Sequence, residues 1–190
     1  NADEDQLYRQ AWAVWQALAA HGIRYSAADP GIARGPHVFS QHVRLLAQTW
    51  DDRSANCIDG SVLIASVLQR IGVRSFLVLV PGHAFVGFYT DSDARHAAYL
   101  ETTLLGAQTP PLHTLPAFAE DMAGTDAARL DIAGFAAALA AGRRHFARVA
   151  ARFDRAHRPD YALIDIRDAR ALGIRPIEAT ESREPVTGSR

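Results

Sequence analysis

The chain begins with a long stretch in which apolar residues recur every three or four positions. Between residues 3 and 21 the members of this apolar face are Leu7, Ala11, Val14 and Leu18. Acidic residues start the stretch and Gly22 follows it, as at the two ends of many helices. The pattern predicts an amphipathic helix over residues 3–21. The same spacing predicts helices over residues 38–50 and 131–156.

A fourth stretch, residues 57–71, is apolar nearly all the way round. Its apolar members are Ile58, Val62, Leu63, Ile64, Val67, Leu68 and Ile71. A helix with so small a polar side belongs in the interior of a protein. We therefore expect residues 57–71 to form a buried central helix.

After Gly72 the pattern changes to that of strands. Residues 75–80, SFLVLV, are a continuous run that favours a strand, and residues 83–89, HAFVGFY, follow a Pro-Gly break. Residues 97–103, AAYLETT, come after a polar loop, and residues 161–166, YALIDI, form one more run of this kind. We expect an α+β fold in which the buried helix packs on a small antiparallel sheet, with additional helices at both ends.

The length of 190 residues suits one compact domain with its own core. We expect a single domain over residues 1–178 and a flexible C-terminal tail over residues 179–190. No apolar run approaches the roughly 20 residues that a membrane-spanning helix requires, so the sequence predicts no membrane partner. The formal net charge of -1 also argues against a nucleic-acid partner. The arginines of the 131–156 segment are more typical of a solvated helix face.

Cys57 is the only cysteine, and it stands where the buried helix is predicted to begin. Unpaired N–H groups and the helix dipole at that end favour negative charge, which lowers the pKa of a thiol. Ser54 and Asn56 are candidate caps for this end. Free cysteine is also among the most buried residue types. Position alone therefore leaves open whether Cys57 is a nucleophile or a core residue.

A thiol nucleophile needs a base, and the base needs a group that orients it. His83 and Glu101 are equally distant from residue 92, which lies in the polar loop between two predicted strands. An antiparallel hairpin folded about that loop places the two residues opposite each other, within a residue or two. Opposed side chains share a face, with Cβ atoms about 4.5–5.5 Å apart. The carboxylate would then hold one imidazole nitrogen and leave the other for the thiol.

Three segments, NCIDGSVLIASVLQRIGV, GHAFVGFY and YLETT, together resemble the core of the transglutaminase-like superfamily, within the papain-like group of thiol enzymes. In that pattern a cysteine starts a buried helix, a histidine begins a strand, and an acid lies on the next strand. The resemblance covers residues 53–105. Glu101 stands where the family usually has an aspartate followed by proline and threonine.

The resemblance implies a catalytic triad of Cys57, His83 and Glu101, of the type found in bacterial transglutaminase-like cysteine peptidases. Such a triad transfers acyl groups from amide bonds through a thioester. The substrate would be a protein or peptide, and the acceptor either water or an amine. A second hypothesis is a catalytically silent domain that keeps the fold as a protein-binding or scaffold module.

The tetrahedral intermediate of this reaction needs hydrogen-bond donors for its oxyanion. The backbone N–H of Cys57 is one candidate. Candidates for the second donor are Trp50, Gln48 and Asn56, and the sequence does not choose between them.

The sequence predicts neither a cofactor nor a metal. It contains no phosphate-binding loop and no dinucleotide fingerprint. His37 and His42 are the nearest to a zinc pair, but their spacing sets them about 140° apart on a helix, off a shared face. The first residue is Asn1 rather than methionine. This leaves export open, so the bacterial cytoplasm and periplasm are both compatible locations, as is membership of a larger polypeptide.

Overall fold

A computed structural model of the chain describes residues 2–27, 32–35, 38–41, 43–109, 116–122, 126–153 and 160–175. The predicted tail over residues 179–190 lies outside the described residues, as do His37 and His42. Within the described ranges the fold is α+β, with a small antiparallel sheet and helices before and after it. The coarse fold class expected from the sequence is therefore confirmed.

The helices are α1 (Ala2–His21), α2 (Leu46–Asp52), α3 (Cys57–Arg70), α4 (Asp126–Phe153) and α5 (Ile166–Ala171). The strands are β1 (Arg24–Tyr25), β2 (Ile32–Gly35), β3 (Val38–Gln41), β4 (Ser54–Ala55), β5 (Ser75–Val80), β6 (His83–Tyr89), β7 (Ala97–Leu100) and β8 (Ala162–Asp165). Short 3₁₀ turns cover Thr102–Leu104 and Ala117–Met122.

The main sheet has the strand order β7-β6-β5-β8, and each pair of neighbours is antiparallel. Two smaller pairings lie outside it. Strands β2 and β3 form an antiparallel hairpin, and the two-residue strands β1 and β4 pair in parallel. The β1–β4 pairing holds the chain just before α3 against the segment that follows α1.

The main sheet is covered on both faces. One face packs against α1, α3 and the first half of α4, and its buried residues include Leu77, Val86, Phe88 and Leu100. The other face carries Phe76, Val78, Val80 and Phe85. The second half of α4 covers that face, through Phe146, Val149 and Phe153. Helix α4 therefore passes from one side of the sheet to the other along the β7 edge.

Helix α3 is the buried central helix that the apolar pattern predicts. Ile64 and Leu68 in its middle are fully buried, and Ser75 on β5 donates a hydrogen bond from Oγ to the carbonyl of Ala65. The helix ends at Arg70, and Gly72, two residues later, has a φ of 89°, in the left-handed region that glycine adopts without strain. The predicted and observed limits agree within one residue.

The helix predicted over residues 38–50 is wrong in its first half. Residues 38–41 form β3, which pairs with β2, and α2 begins only at Leu46. The backbone N–H of Arg44 donates to the buried carboxylate of Asp59 at 2.9 Å instead of to a helical carbonyl. A tertiary hydrogen bond thus interrupts a sequence whose apolar spacing fits a helix. Helix α4 also starts five residues before the predicted 131, and residues 154–156 lie outside the described part of the chain.

Candidate active site

Cys57 occupies the first position of α3, because Asn56 caps that helix. The Asn56 side-chain oxygen accepts hydrogen bonds from the backbone N–H groups of Ile58 (3.0 Å) and Asp59 (2.9 Å). In return Asp59, 1% exposed, accepts from the backbone N–H of Asn56 at 3.3 Å. This reciprocal capping box fixes where the helix begins. The half-buried thiol of Cys57 therefore stands at the positive end of a well-defined helix.

His83 is the first residue of β6, and Glu101 directly follows β7. The last pair between these strands is Val86 with Leu100, so one further step sets Glu101 level with Phe85. The observed register therefore differs from direct opposition of His83 and Glu101 by two residues, the limit of the expected range. An even shift keeps both side chains on one face, since side chains alternate along a strand. The carboxylate reaches His83 diagonally, with Nε2 2.9 Å from Oε2 and 3.1 Å from Oε1.

His83 is hydrogen-bonded to Glu101, and its interaction with the Cys57 thiol is the largest influence on its pKa. Because Nε2 faces the carboxylate, Nδ1 is the ring nitrogen left for the thiol. The hydrogen bonds to Cys57 and Glu101 outweigh the effect of burial and raise the pKa of His83 from 6.5 to about 9. The imidazole is therefore charged over the neutral pH range.

The pKa of the Cys57 thiol is shifted in the opposite direction to that of His83. Burial raises the pKa of Cys57, but other interactions outweigh it and lower that pKa below its ordinary 9.0. They are the hydrogen bond with His83, the backbone N–H of Ala84, the charge of His83 and the backbone N–H of Ile58. A lowered thiol pKa beside a raised imidazole pKa favours a thiolate–imidazolium pair, the reactive form of a cysteine nucleophile.

Glu101 is held as a carboxylate on several sides. Oε1 accepts hydrogen bonds from the Thr103 hydroxyl (3.0 Å) and the Thr103 backbone N–H (3.3 Å). Burial alone raises the pKa of Glu101, but the hydrogen bond and charge of His83 and the two Thr103 donors lower it from 4.5 to about 2. Glu101 therefore remains ionised throughout the neutral pH range, in which it orients His83.

The turn after Glu101 is joined to the start of α3. Thr102 donates from its hydroxyl to the carbonyl of Cys57 at 3.2 Å, and Ser61 donates to the same carbonyl at 2.6 Å. A Cβ at Gly60 would lie 3.4 Å from Cβ of Thr102, so the turn packs directly on the helix here. The side chain of Thr102 therefore links the backbone next to Glu101 to the backbone of Cys57. Sequence reasoning missed this role of Thr102.

His145 on α4 is a second residue that sequence reasoning missed. Its ring stacks on His83, with centroids 4.9 Å apart and planes 7° from parallel, and its Nδ1 lies 3.4 Å from Oε2 of Glu101. In the sequence it is marked only as a histidine beside the apolar face of the predicted 131–156 helix, 44 residues after Glu101.

The same three residues form the one potential metal-binding group among the described residues. Ligand atoms of His83, Glu101 and His145 all lie within 4.8 Å of one another. An imidazole nitrogen directs its lone pair in the plane of its ring. Two stacked rings with nearly parallel planes cannot both direct lone pairs at a single ion. The arrangement is therefore suited to hydrogen bonding rather than to chelation.

Tyr25 lies close to the site, a position that the sequence did not indicate. It pairs with Ala55 in the β1–β4 ladder, and its N–H donates to the carbonyl of Leu105 at 3.3 Å, next to the turn that follows Glu101. Its side chain is partly exposed. Burial and the charges of Cys57 and Glu101 raise the pKa of the Tyr25 phenol. Its hydroxyl is consequently a hydrogen-bond donor at neutral pH.

The three candidate oxyanion donors have other partners in the structure. Gln48 accepts a hydrogen bond from the backbone N–H of Leu45 at 3.0 Å, at the start of α2. Trp50 stacks on His21 with centroids 3.6 Å apart. Asn56 is the cap of α3 and adjoins Cys57. Of the three, Asn56 is placed beside the nucleophile by its role in the helix, and the assignment of a second donor stays a prediction.

The comparisons with known proteins give no relatives: no family model, no curated protein and no solved structure matches the chain. Among the described helices, none combines the length and the apolar character that a membrane span requires. The transglutaminase-like resemblance of residues 53–105 therefore stays a prediction, and a function for the chain has to be inferred from the geometry of the site.

Proposed function

We propose that this protein is a thiol enzyme of the transglutaminase-like type, which transfers acyl groups from amide bonds of proteins or peptides through a Cys57–His83–Glu101 triad. The observation that carries the proposal is the double engagement of His83. One imidazole is hydrogen-bonded to a buried carboxylate and also interacts with the thiol at the start of a helix. A cysteine that only fills the core needs neither a histidine nor a carboxylate beside it, whereas a thiol nucleophile needs the histidine as base and the carboxylate to orient that base.

The reaction begins from the ion pair, in which Nδ1 of His83 holds the Cys57 proton, and the thiolate attacks the substrate carbonyl carbon. The C–N bond then breaks, and the proton on His83 goes to the leaving amine, which leaves a thioester on Cys57. Water or a second amine attacks the thioester and gives a proton to His83. When the C–S bond breaks, the thiolate–imidazolium pair is restored. Glu101 stays ionised throughout and stabilises the imidazolium.

We assign two groups to the stabilisation of the oxyanion of the tetrahedral intermediate. The N–H of Cys57 belongs to the first turn of α3, where backbone N–H groups have no acceptor within the helix. Tyr25 lies beside the turn that follows Glu101, since its backbone N–H donates to the carbonyl of Leu105 at 3.3 Å. We assign Tyr25 as a candidate donor to substrate, beside Asn56, Gln48 and Trp50.

Acylation by p-nitrophenyl acetate tests the proposal without knowledge of the natural substrate. Intact-mass analysis is expected to find one acetyl group on Cys57, formed at least about tenfold faster than on His83→Gln and released by hydroxylamine. A Cys57→Ser variant serves as the control for modification elsewhere. Acetylation of the wild-type protein at the rate of His83→Gln would contradict the proposal and favour a silent binding domain. Addition of a small primary amine then separates transfer from hydrolysis through the product formed.

A further inference from the structure

Helix α4 approaches the site unusually closely. The N–H of Glu101 donates to the carbonyl of Ala138 at 3.1 Å. One turn later Gly142 contacts the β7 backbone so tightly that a Cβ there would lie 2.5 Å from the Tyr99 carbonyl. His145 follows three residues after Gly142, on the same helix face. The close crossing at Gly142 is thus what brings a side chain of α4 over the predicted triad.

The ring of His145 lies against aromatic rings of β6. It stacks on His83 at 4.9 Å and 7°, and on the fully buried Phe85 at 4.9 Å and 20°. His83 and Phe85 are two positions apart, so they project from the same face of the strand. The His145 side chain is 24% exposed. It therefore covers the His83 ring on one side and restricts the angle at which that ring can turn.

The second contact of His145 is with the carboxylate. Its Nδ1 lies 3.4 Å from Oε2 of Glu101, the oxygen that is also nearest to Nε2 of His83. Thr103 supplies donors to the other oxygen, Oε1. Thr103 and His145 thus fix the carboxylate plane from opposite ends. With that plane fixed, the direction in which Glu101 accepts from His83 is fixed as well.

We propose that His145 is a positioning residue of this site: by stacking on His83 and donating from Nδ1 to Glu101, it holds the imidazole in the orientation that serves the thiol. The inference rests on the proposed function of the triad. It adds to that function a fourth residue, supplied by a helix that lies outside the segment resembling the transglutaminase-like core.

The test is the pH dependence of Cys57 alkylation by iodoacetamide, which needs no substrate. His145→Ala removes both contacts, and we expect alkylation at pH 6 to slow about tenfold, with the midpoint of the pH–rate profile displaced upward. His145→Phe keeps a ring on His83 but lacks the donor, so a smaller reduction of about threefold is expected. Circular dichroism establishes that each variant is folded.

Phe146→Leu is the matched control. Phe146 occupies the next position on α4 and stacks on Tyr99 at 4.0 Å, away from the triad. Its substitution should weaken helix packing without displacing the pH–rate profile. If His145→Ala does not fold, His145→Phe carries the test alone. Wild-type profiles in the folded His145 variants would overturn the inference.

The two proposals fail in different ways. A wild-type Cys57 that reacts no faster than free cysteine at pH 6 would remove the proposed function, and the role of His145 with it. An activated wild-type Cys57 with an unchanged profile in the His145 variants would remove only the role of His145.

Discussion

His83 and Glu101 are hydrogen-bonded although the hairpin register does not place them opposite each other. Glu101 lies level with Phe85, and its carboxylate reaches back along the sheet to Nε2 of His83 at 2.9 Å. Diagonal neighbours on a sheet are farther apart than opposed ones, about 7–8 Å. The extra methylene of glutamate spans part of that difference. The residue that departs from the usual aspartate of the resembling family therefore suits this register.

Glu101→Asp is expected to behave as a loss of function rather than as a conservative change. The shorter side chain cannot reach His83 along the diagonal without movement of the backbone, so the thiolate loses its oriented partner. Alkylation of Cys57 at pH 6 should slow by about tenfold. Glu101→Gln retains the length and lacks the charge, which makes it the comparison variant. Wild-type reactivity in Glu101→Asp would show that the register does not select glutamate.

Acidification should remove the contribution of Glu101 to stability. Its pKa is depressed from 4.5 to about 2 in the folded protein. Its stabilising contribution is therefore complete above pH 4.5 and is lost as the pH falls towards 2. This lowering of the Glu101 pKa corresponds to a contribution of about 3 kcal/mol to the free energy of unfolding.

Urea unfolding of the wild type and Glu101→Gln measures this contribution. We expect the difference in free energy of unfolding between the wild type and Glu101→Gln to be large at pH 6 and to decrease steadily towards pH 2. Asp93→Asn is the control, because Asp93 is an exposed loop carboxylate paired with Arg95, and such pairs contribute little. A gap for Glu101→Gln that is independent of pH would contradict the assigned ion pair.

Two glycines of α4 should respond in opposite ways to alanine. A Cβ at Gly142 would lie 2.5 Å from the Tyr99 backbone, so Gly142→Ala must push α4 away from β7 and destabilise the fold by about 1–3 kcal/mol. At Gly134 the nearest atom to a Cβ is 3.4 Å away, and alanine has the higher helix propensity. Gly134→Ala should be neutral or stabilising by up to about 1 kcal/mol.

Thermal and urea unfolding of the two variants provide the comparison. Equal stabilities would mean that the close crossing at Gly142 is not required. Gly142→Ala should also reduce alkylation of Cys57, because the displaced helix carries His145 away from His83. Gly134→Ala should leave that reactivity unchanged.

Much of the secondary structure around the site could be predicted from the sequence, because it depends on local patterns. The apolar run of α3, the cap at Asn56 and the strand runs around His83 and Glu101 depend on neighbouring residues alone. The pairing offset between β6 and β7 could not be read in this way, because it depends on how the polar loop between the strands closes. The predicted register nevertheless preserved the shared face, since the offset is an even number of residues.

The residues that sequence reasoning missed reach the site through tertiary packing. His145 arrives because Gly142 lets α4 cross the β7 edge closely, and Tyr25 arrives because β1 pairs with β4. Neither pairing has a periodic signal of its own. The error in the first half of the helix predicted over residues 38–50 has the same cause, since the Arg44 N–H donates to Asp59, fifteen residues further along.

The most direct test of the central claim is the rate at which iodoacetamide alkylates Cys57 at pH 6 and pH 8. Cys57 is the only cysteine, so the wild-type protein reports on this thiol alone, and the urea-unfolded chain gives its unperturbed rate. The lowered pKa of Cys57 and the raised pKa of His83 predict that the folded protein reacts at least about tenfold faster than the unfolded chain at pH 6, with a smaller ratio at pH 8. Equal rates for folded and unfolded protein at pH 6 would contradict an activated thiolate, and with it the proposed triad.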